Sequence, residues 1–212
     1  STKKPAPWSD VLGFDAATVS LLVAGLIFGR KKLLTNLYNR RLLWTLTAAF
    51  SMSALNDVLT LEIARAMRNL ARLAVFYLDL DKFKQVNDIH GHAAGDRVLQ
   101  EVAARLREAL RASDTVARLG GDEFVALLPG IDSPRDAEIA AEKLLKSLRD
   151  SFRVADLARG LSVSIGIAVF PDDGDDGSRL LQKADAAMYN VKNRGRDGWK
   201  RYDSRTNGPS RS

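Results

Sequence analysis

The stretch DTVARLGGDEFVALLP, Asp114 to Pro129, limits the possible folds more than any other part of the chain. Two short apolar runs flank Gly120 and Gly121, so the chain reverses there as a β-hairpin. Asp122 and Glu123 stand side by side on that reversal. Neighbouring carboxylates repel, and each raises the other's pKa unless a cation or solvent intervenes. A solvated turn satisfies this pattern, and so does a metal site.

The segments around the hairpin fix its context. RLAVFYLDLD is a continuous apolar run with a polar end, which reads as a buried strand. AGDRVLQEVAARLREALRAS is an amphipathic helix whose stripe Val98, Val102, Leu106 and Leu110 belongs to the core. SPRDAEIAAEKLLKSLRDSF opens with a Ser-Pro helix start. LSVSIGIAVF alternates with period two, SRLLQKADAAMYNVKNRG is a helix stopped by glycine, and GWKRY is a short last strand. The order strand, helix, strand, strand, helix, strand predicts an α+β fold with a ferredoxin-like βαββαβ core, its helices on one face of an antiparallel sheet.

The N-terminal third is less regular. From Asn39 to Asn69 apolar residues recur at helical spacing without proline or glycine, and a break is expected near SALND, where Asn56 or Asp57 would cap a second helix. Ahead of it, Ala16 to Gly29 is uncharged and is closed by Arg30, Lys31 and Lys32. A membrane span wants roughly 20 apolar residues. This run is shorter, so a buried or dimer-forming helix stands beside an inner-membrane anchor as its reading. The expected layout is an apolar and linker segment over residues 1–32, a domain over 33–203 and a disordered tail over 204–212.

Composition narrows the function classes. The 212 residues carry a formal charge of +6 and no cysteine, which excludes disulfides and thiolate metal sites. A basic balance suits nucleic acid, an anionic surface or a phosphorylated small molecule. Aromatics are 7% and do not interleave with basic residues, which argues against a nucleic-acid stacking platform. Pairing the hairpin beside RLAVFYLDLD would bring Asp122 and Glu123 close to Asp79 at one edge of the sheet. Hard oxygen donors of that kind suit Mg²⁺ or Mn²⁺ together with substrate phosphates.

Four blocks in order, DLDKFKQVND, HGHAAGD, RLGGDEF and KNRGRDGW, resemble the GGDEF domain of diguanylate cyclases, which join two GTP into the bacterial second messenger cyclic di-GMP. The resemblance runs from about Leu34 to Tyr202. It implies a nucleotide-cyclase-like sheet, with Asp79, Asp122 and the backbone carbonyl of Leu80 as metal ligands. It implies that Glu123 also binds metal and assists deprotonation of the ribose 3′-hydroxyl. Phe83 and Lys84 match the turn that holds the phosphates, Asn87 and Asp96 the guanine-reading pair, and Lys192 and Arg196 the cations on the terminal phosphates. On a persisting helix the last two would share one face. Gly120 and Gly121 would let phosphate approach the turn. Arg111 and Asp114 match the RxxD motif of product inhibition, with Lys143 where a supporting arginine is frequent; lysine cannot fork onto phosphate in the same way. His92 reads as a structural hydrogen-bonding residue, His90 and Lys183 carry no assigned role, and Asp81 reads as a supporting acid.

The opening block departs from the family's D-x-L-T-G-L-x-N-R. Here it is KLLTNLYNRR, with Lys32 at the acidic position and Asn36 at the glycine, and DVLT from Asp57 to Thr60 offers a second partial match. The resemblance implies a Mg²⁺-dependent, homodimeric, cytoplasmic cyclase inhibited by its product. The alternative is a catalytically silent module that binds GTP or cyclic di-GMP to regulate an attached domain, such as an EAL phosphodiesterase, into which endings like GRDGWKRYDSRTN lead. A purely structural or membrane-interaction role would predict no nucleotide binding.

Overall fold

The computed structural model describes residues 37–149 and 161–203. Helix α1 (Leu37–Asn69) leads into strand β1 (Arg72–Leu80), helices α2 (Phe83–His90) and α3 (His92–Ala109), and the hairpin β2 (Thr115–Gly120) and β3 (Glu123–Ile131). Helix α4 (Pro134–Arg149), strand β4 (Val163–Phe170), helix α5 (Gly177–Asn193) and strand β5 (Gly198–Arg201) complete it. The sheet order is β2-β3-β1-β4-β5. Its first four strands pair antiparallel, in the ferredoxin-like order anticipated, and β5 joins β4 in parallel.

Strand periodicity sorts β1 onto two cores. Ala74, Phe76, Leu78 and Leu80 face α3 and α4, whose Val98, Val102, Leu106, Leu144 and Leu148 are buried there. Leu73 and Val75 face the other way, against Leu59 and Ile63 of α1 and Leu180 and Ala184 of α5. The helices therefore cover both faces rather than one. The physical reason is that every residue of β4 is buried and all but Ser164 are apolar, while seven of the nine residues of β1 are buried, so neither face of the sheet tolerates water. Leu110 packs against the core but lies just beyond α3, in extended backbone.

The expected break in α1 does not occur. The helix runs for 33 residues, and Asn56 caps nothing: its carbonyl accepts the Thr60 hydroxyl at 2.7 Å. With no proline or glycine to stop it, burial of the stripe Leu55, Leu59, Ile63 and Ala66 carries the helix past the polar pair. Helix α2 stands where the resemblance implies a turn, and at 8 residues it is too short to show a helical periodicity in the sequence. The Ala16–Gly29 run, Lys32, Asn36 and the tail from residue 204 lie outside the described residues. Among the described residues no helix is long and apolar enough to cross a membrane.

Gly166 sets the height of α5 above the sheet. A Cβ there would collide with the Ala184 carbonyl and the Met188 backbone, so the helix backbone rests directly on β4. That approach brings the end of α5 to the end of β1, where the acids lie.

Candidate active site

Asp79, the last residue but one of β1, stands opposite Glu123, the first residue of β3. The Leu80 N–H donates to the Asp122 carbonyl at 3.2 Å, which seats the hairpin turn on the end of β1. The acids thus gather at the ends of two central strands rather than at an edge strand, because β3 and not β2 pairs with β1. The reversal is Gly121-Asp122, one residue later than the Gly-Gly pair, and Gly120 pairs with Glu123. Gly121 takes a left-handed φ of 52°. Its carbonyl accepts both Nε and Nη2 of Arg118, at 3.0 and 2.7 Å, so that arginine braces the turn.

Crowding shows in the ionisation of these groups. Burial, and then the charges of Asp122 and Asp81, raise the Asp79 carboxyl, opposed by the Lys192 ammonium. Burial, Asp79 and Asp122 likewise raise Glu123, opposed by a hydrogen bond from the Tyr77 hydroxyl. Tyr77 is itself pushed up, first by burial and then by the charge of Glu123. The Lys192 Nζ lies 2.7 Å from Asp79 Oδ2. Among the described residues no three carboxylates or histidines already converge as a ready chelate. The donor set still fits a hard divalent cation, since it is all oxygen and its mutual repulsion is what such a cation relieves.

The other expected residues surround this centre. Phe83 and Lys84 form the first turn of α2 rather than a loop. Lys82 enters that helix with φ 59°, no side chain caps it, and the Gln85 N–H turns back to the Lys82 carbonyl at 2.8 Å. Phe83 is buried and Lys84 exposed. Asn87 lies over Gly95, where any Cβ would collide with Asn87 Oδ1, so α2 and α3 touch beside Asp96. Asp96 and Asp122 are both within electrostatic reach of Arg118.

Lys192 and Arg196 do not share a helix face. Helix α5 ends at Asn193, and Gly195 and Arg196 take left-handed φ values of 114° and 68°. The glycine ends the helix, and the Val191 carbonyl accepts the N–H of both Arg194 and Arg196 at 3.0 Å. Both cations still reach the acids, Lys192 at Asp79 and Arg196 Nε at 4.0 Å from Asp81 Oδ1. His90 and His92 flank Gly91 between α2 and α3 and are exposed. Lys183 packs its ammonium over the Tyr202 ring, 4.8 Å from the centroid.

Arg111, Asp114 and Lys143 line one pocket of about 170 Å³ with Asp136 and the apolar Leu110, Leu128, Ile131 and Ile139. Asp114 accepts the Arg111 N–H at 2.8 Å and so closes its own turn.

Three neighbours of the acids are not among the residues to which the sequence points. Tyr77 precedes Asp79 by two, hence on the same face of β1, and that spacing was the available signal. Arg118, two residues before the glycines, sits in a strand where a brace for the turn has no sequence signature. Ser164 donates its hydroxyl to Asp81 Oδ1 at 2.7 Å across 83 residues of chain, a contact no local pattern announces.

The family described as "Diguanylate cyclase, GGDEF domain" matches residues 33–198. The chain belongs to the GGDEF family. It is 46% identical over 153 residues to the bifunctional diguanylate cyclase/cyclic di-GMP phosphodiesterase MucR of Pseudomonas aeruginosa, covering 72% of this chain and 22% of that protein. It is 44% identical over 140 residues to the diguanylate cyclase TpbB of the same species, covering 64% of this chain and 32% of that one. The crystal structure of the GGDEF domain of that P. aeruginosa protein, called YfiN or TpbB, superposes with a TM-score of 0.68 at 39% identity, over 71% of this chain and 94% of that one. A GGDEF chain therefore accounts for the fold, while spanning a third or less of the length of these two curated relatives.

Proposed function

We propose that this GGDEF domain, residues 33–203, is a diguanylate cyclase that condenses two GTP into cyclic di-GMP with release of pyrophosphate. The observation that carries the reading is the cross-strand pair Asp79 and Glu123, with Asp122 beside it and Lys192 on its rim. Asp79, Asp122, Glu123 and the Leu80 carbonyl would hold Mg²⁺ or Mn²⁺. Such cations, when bound, make the ribose 3′-hydroxyl acidic and offset charge on the α-phosphate. Glu123 takes the 3′-hydroxyl proton as general base. Each 3′-oxygen bonds to the α-phosphorus of the other GTP, each bond to pyrophosphate breaks, and two pyrophosphates leave.

The remaining residues orient the nucleotide. The start of α2 at Phe83 and Lys84 receives phosphate, and the exposed Gly121 leaves room for it at the turn. Lys192 and Arg196 grip the terminal phosphates, and Asn87 and Asp96 read guanine, whose N1–H and amino group both donate. Each domain holds one GTP, so the product requires two domains face to face in a homodimer. Arg111, Asp114 and Lys143 form the product-inhibitory pocket.

A second reading keeps its place because relatives named as phosphodiesterases match as well, among them cyclic di-GMP phosphodiesterase PdeR of Escherichia coli at 37% identity over 152 residues. In that case the domain binds nucleotide to regulate an attached catalytic domain. Incubation with GTP and Mg²⁺, with Glu123→Gln and Asp79→Asn as controls, separates the two. Cyclic di-GMP that disappears in both controls supports the cyclase. No product at protein concentrations that enforce dimers supports the regulatory module.

A further inference from the structure

Asp81 has no part in the chemistry above, yet its side chain is 0% exposed. A buried carboxylate is costly unless its oxygens are hydrogen-bonded. Here both are. Oδ1 accepts the Ser164 hydroxyl at 2.7 Å, and Oδ2 accepts the Asp197 N–H at 3.1 Å. One carboxylate thereby joins the end of β1, the start of β4 and the turn that leads into β5.

That turn is unusual. Gly195, Arg196 and Asp197 follow one another at φ 114°, 68° and 50°, and two of the three carry side chains that disfavour left-handed backbone. Such a run persists only where its surroundings over-determine it. Arg149 of α4 holds it from outside, through Nε to Asp197 Oδ1 at 3.0 Å and Nη2 to the Asp197 carbonyl at 3.2 Å. The side chains of that pair are 52% and 45% exposed, so solvent weakens it. The bond from inside is the protected one, and its acceptor is Asp81.

We propose that Asp81 is a positioning residue that presents Arg196 to the terminal phosphates of the nucleotide, an inference that rests on reading Arg196 as a phosphate-gripping cation. Asp81 acts twice on the same residue. It pins the backbone immediately after Arg196, and it lies 4.0 Å from the Arg196 Nε, which orients a guanidinium whose side chain is still 47% exposed. An arginine set in place before the anion arrives loses less freedom on binding. The role needs two acceptor oxygens, because both of the acid's hydrogen-bonding partners are donors. Asparagine offers one oxygen where two donors wait, and turns its amide against the other.

The test compares binding of a non-hydrolysable GTP analogue and of GMP by the full chain carrying Asp81→Asn, Ser164→Ala or Arg196→Ala. Asp81→Asn is expected to weaken the triphosphate on the order of tenfold while leaving GMP unchanged. Ser164→Ala is expected to act in the same direction to a smaller extent, and it carries the test if the Asp81 variant does not fold. Equal losses for both ligands, or an unchanged ratio in both Asp81→Asn and Ser164→Ala while Arg196→Ala abolishes the preference for triphosphate, would overturn the proposal alone. An unchanged ratio in Arg196→Ala would overturn the phosphate reading of Arg196, and the proposal with it.

Discussion

The Lys192 ammonium lies 2.7 Å from Asp79 Oδ2, joining the last turn of α5 to the end of strand β1. That ammonium opposes the upward push that burial and neighbouring charges exert on the Asp79 carboxyl, beside Glu123, which is raised in the same way. The contact exists only because α5 lies against β4 over Gly166.

Gly166→Ala is therefore expected to destabilise the domain severely. Its Cβ would meet helix backbone, which cannot rotate away as a side chain can. The loss should be about 3 kcal/mol or more. Urea unfolding of the purified variant measures it, and a midpoint near wild type would contradict the packing described.

Glu123→Gln should abolish product formation and yet raise the melting temperature of the metal-free protein, by roughly 2–4 °C if about 1 kcal/mol of repulsion is relieved. Calorimetry without divalent ions reads the effect. A lower melting temperature would mean that the acids are not in conflict.

The same repulsion gives a pH dependence of known sign. Asp79 and Glu123 have folded pKa values above their ordinary ones, so the folded state binds their protons more tightly than the unfolded chain does. Their protonation favours folding, and that contribution is complete below the unfolded values and lost as pH rises through the folded ones. The stability gap between Glu123→Gln and wild type should thus shrink as pH falls from neutrality toward 4.5, the ordinary value for this carboxyl. Melting curves across that range check it.

Gly95→Ala should act on nucleotide more than on fold. Its Cβ would displace the Asn87 side chain, a flexible group, with Phe83 Cζ next nearest at 3.2 Å. The KM for GTP is expected to rise about tenfold, in proportion to the loss of one polar contact. Steady-state kinetics of the variant decide it, and an unchanged KM would remove Asn87 from the guanine site.

Arg111→Ala should relieve product inhibition without changing the initial rate, since Arg111 lies in the pocket with Asp114 and Lys143, away from the acids. Progress curves with added cyclic di-GMP provide the measurement. Inhibition that survives would place the inhibitory ligand elsewhere.

The sequence by itself determined the strands, the hairpin, the order of elements along the chain and the family. These follow from local signals: period-two apolar runs, a glycine turn and ordered blocks around the acids, each readable within a dozen or so residues. It also named the acids of the site, because chemistry dictates their type and the hairpin dictates their neighbourhood. Only the tertiary structure decided how they meet. That α1 continues through Asn56 depends on burial against a sheet formed later in the chain. That the turn lies at Gly121-Asp122 follows from Gly120 pairing with Glu123. That Lys192 and Arg196 converge from two backbone conformations, and that Asp81 binds Ser164 and Asp197, follows from bonds spanning 83 and 116 residues. Such contacts leave no periodicity, because each depends on the packing of whole elements and not on the spacing of residues along the chain.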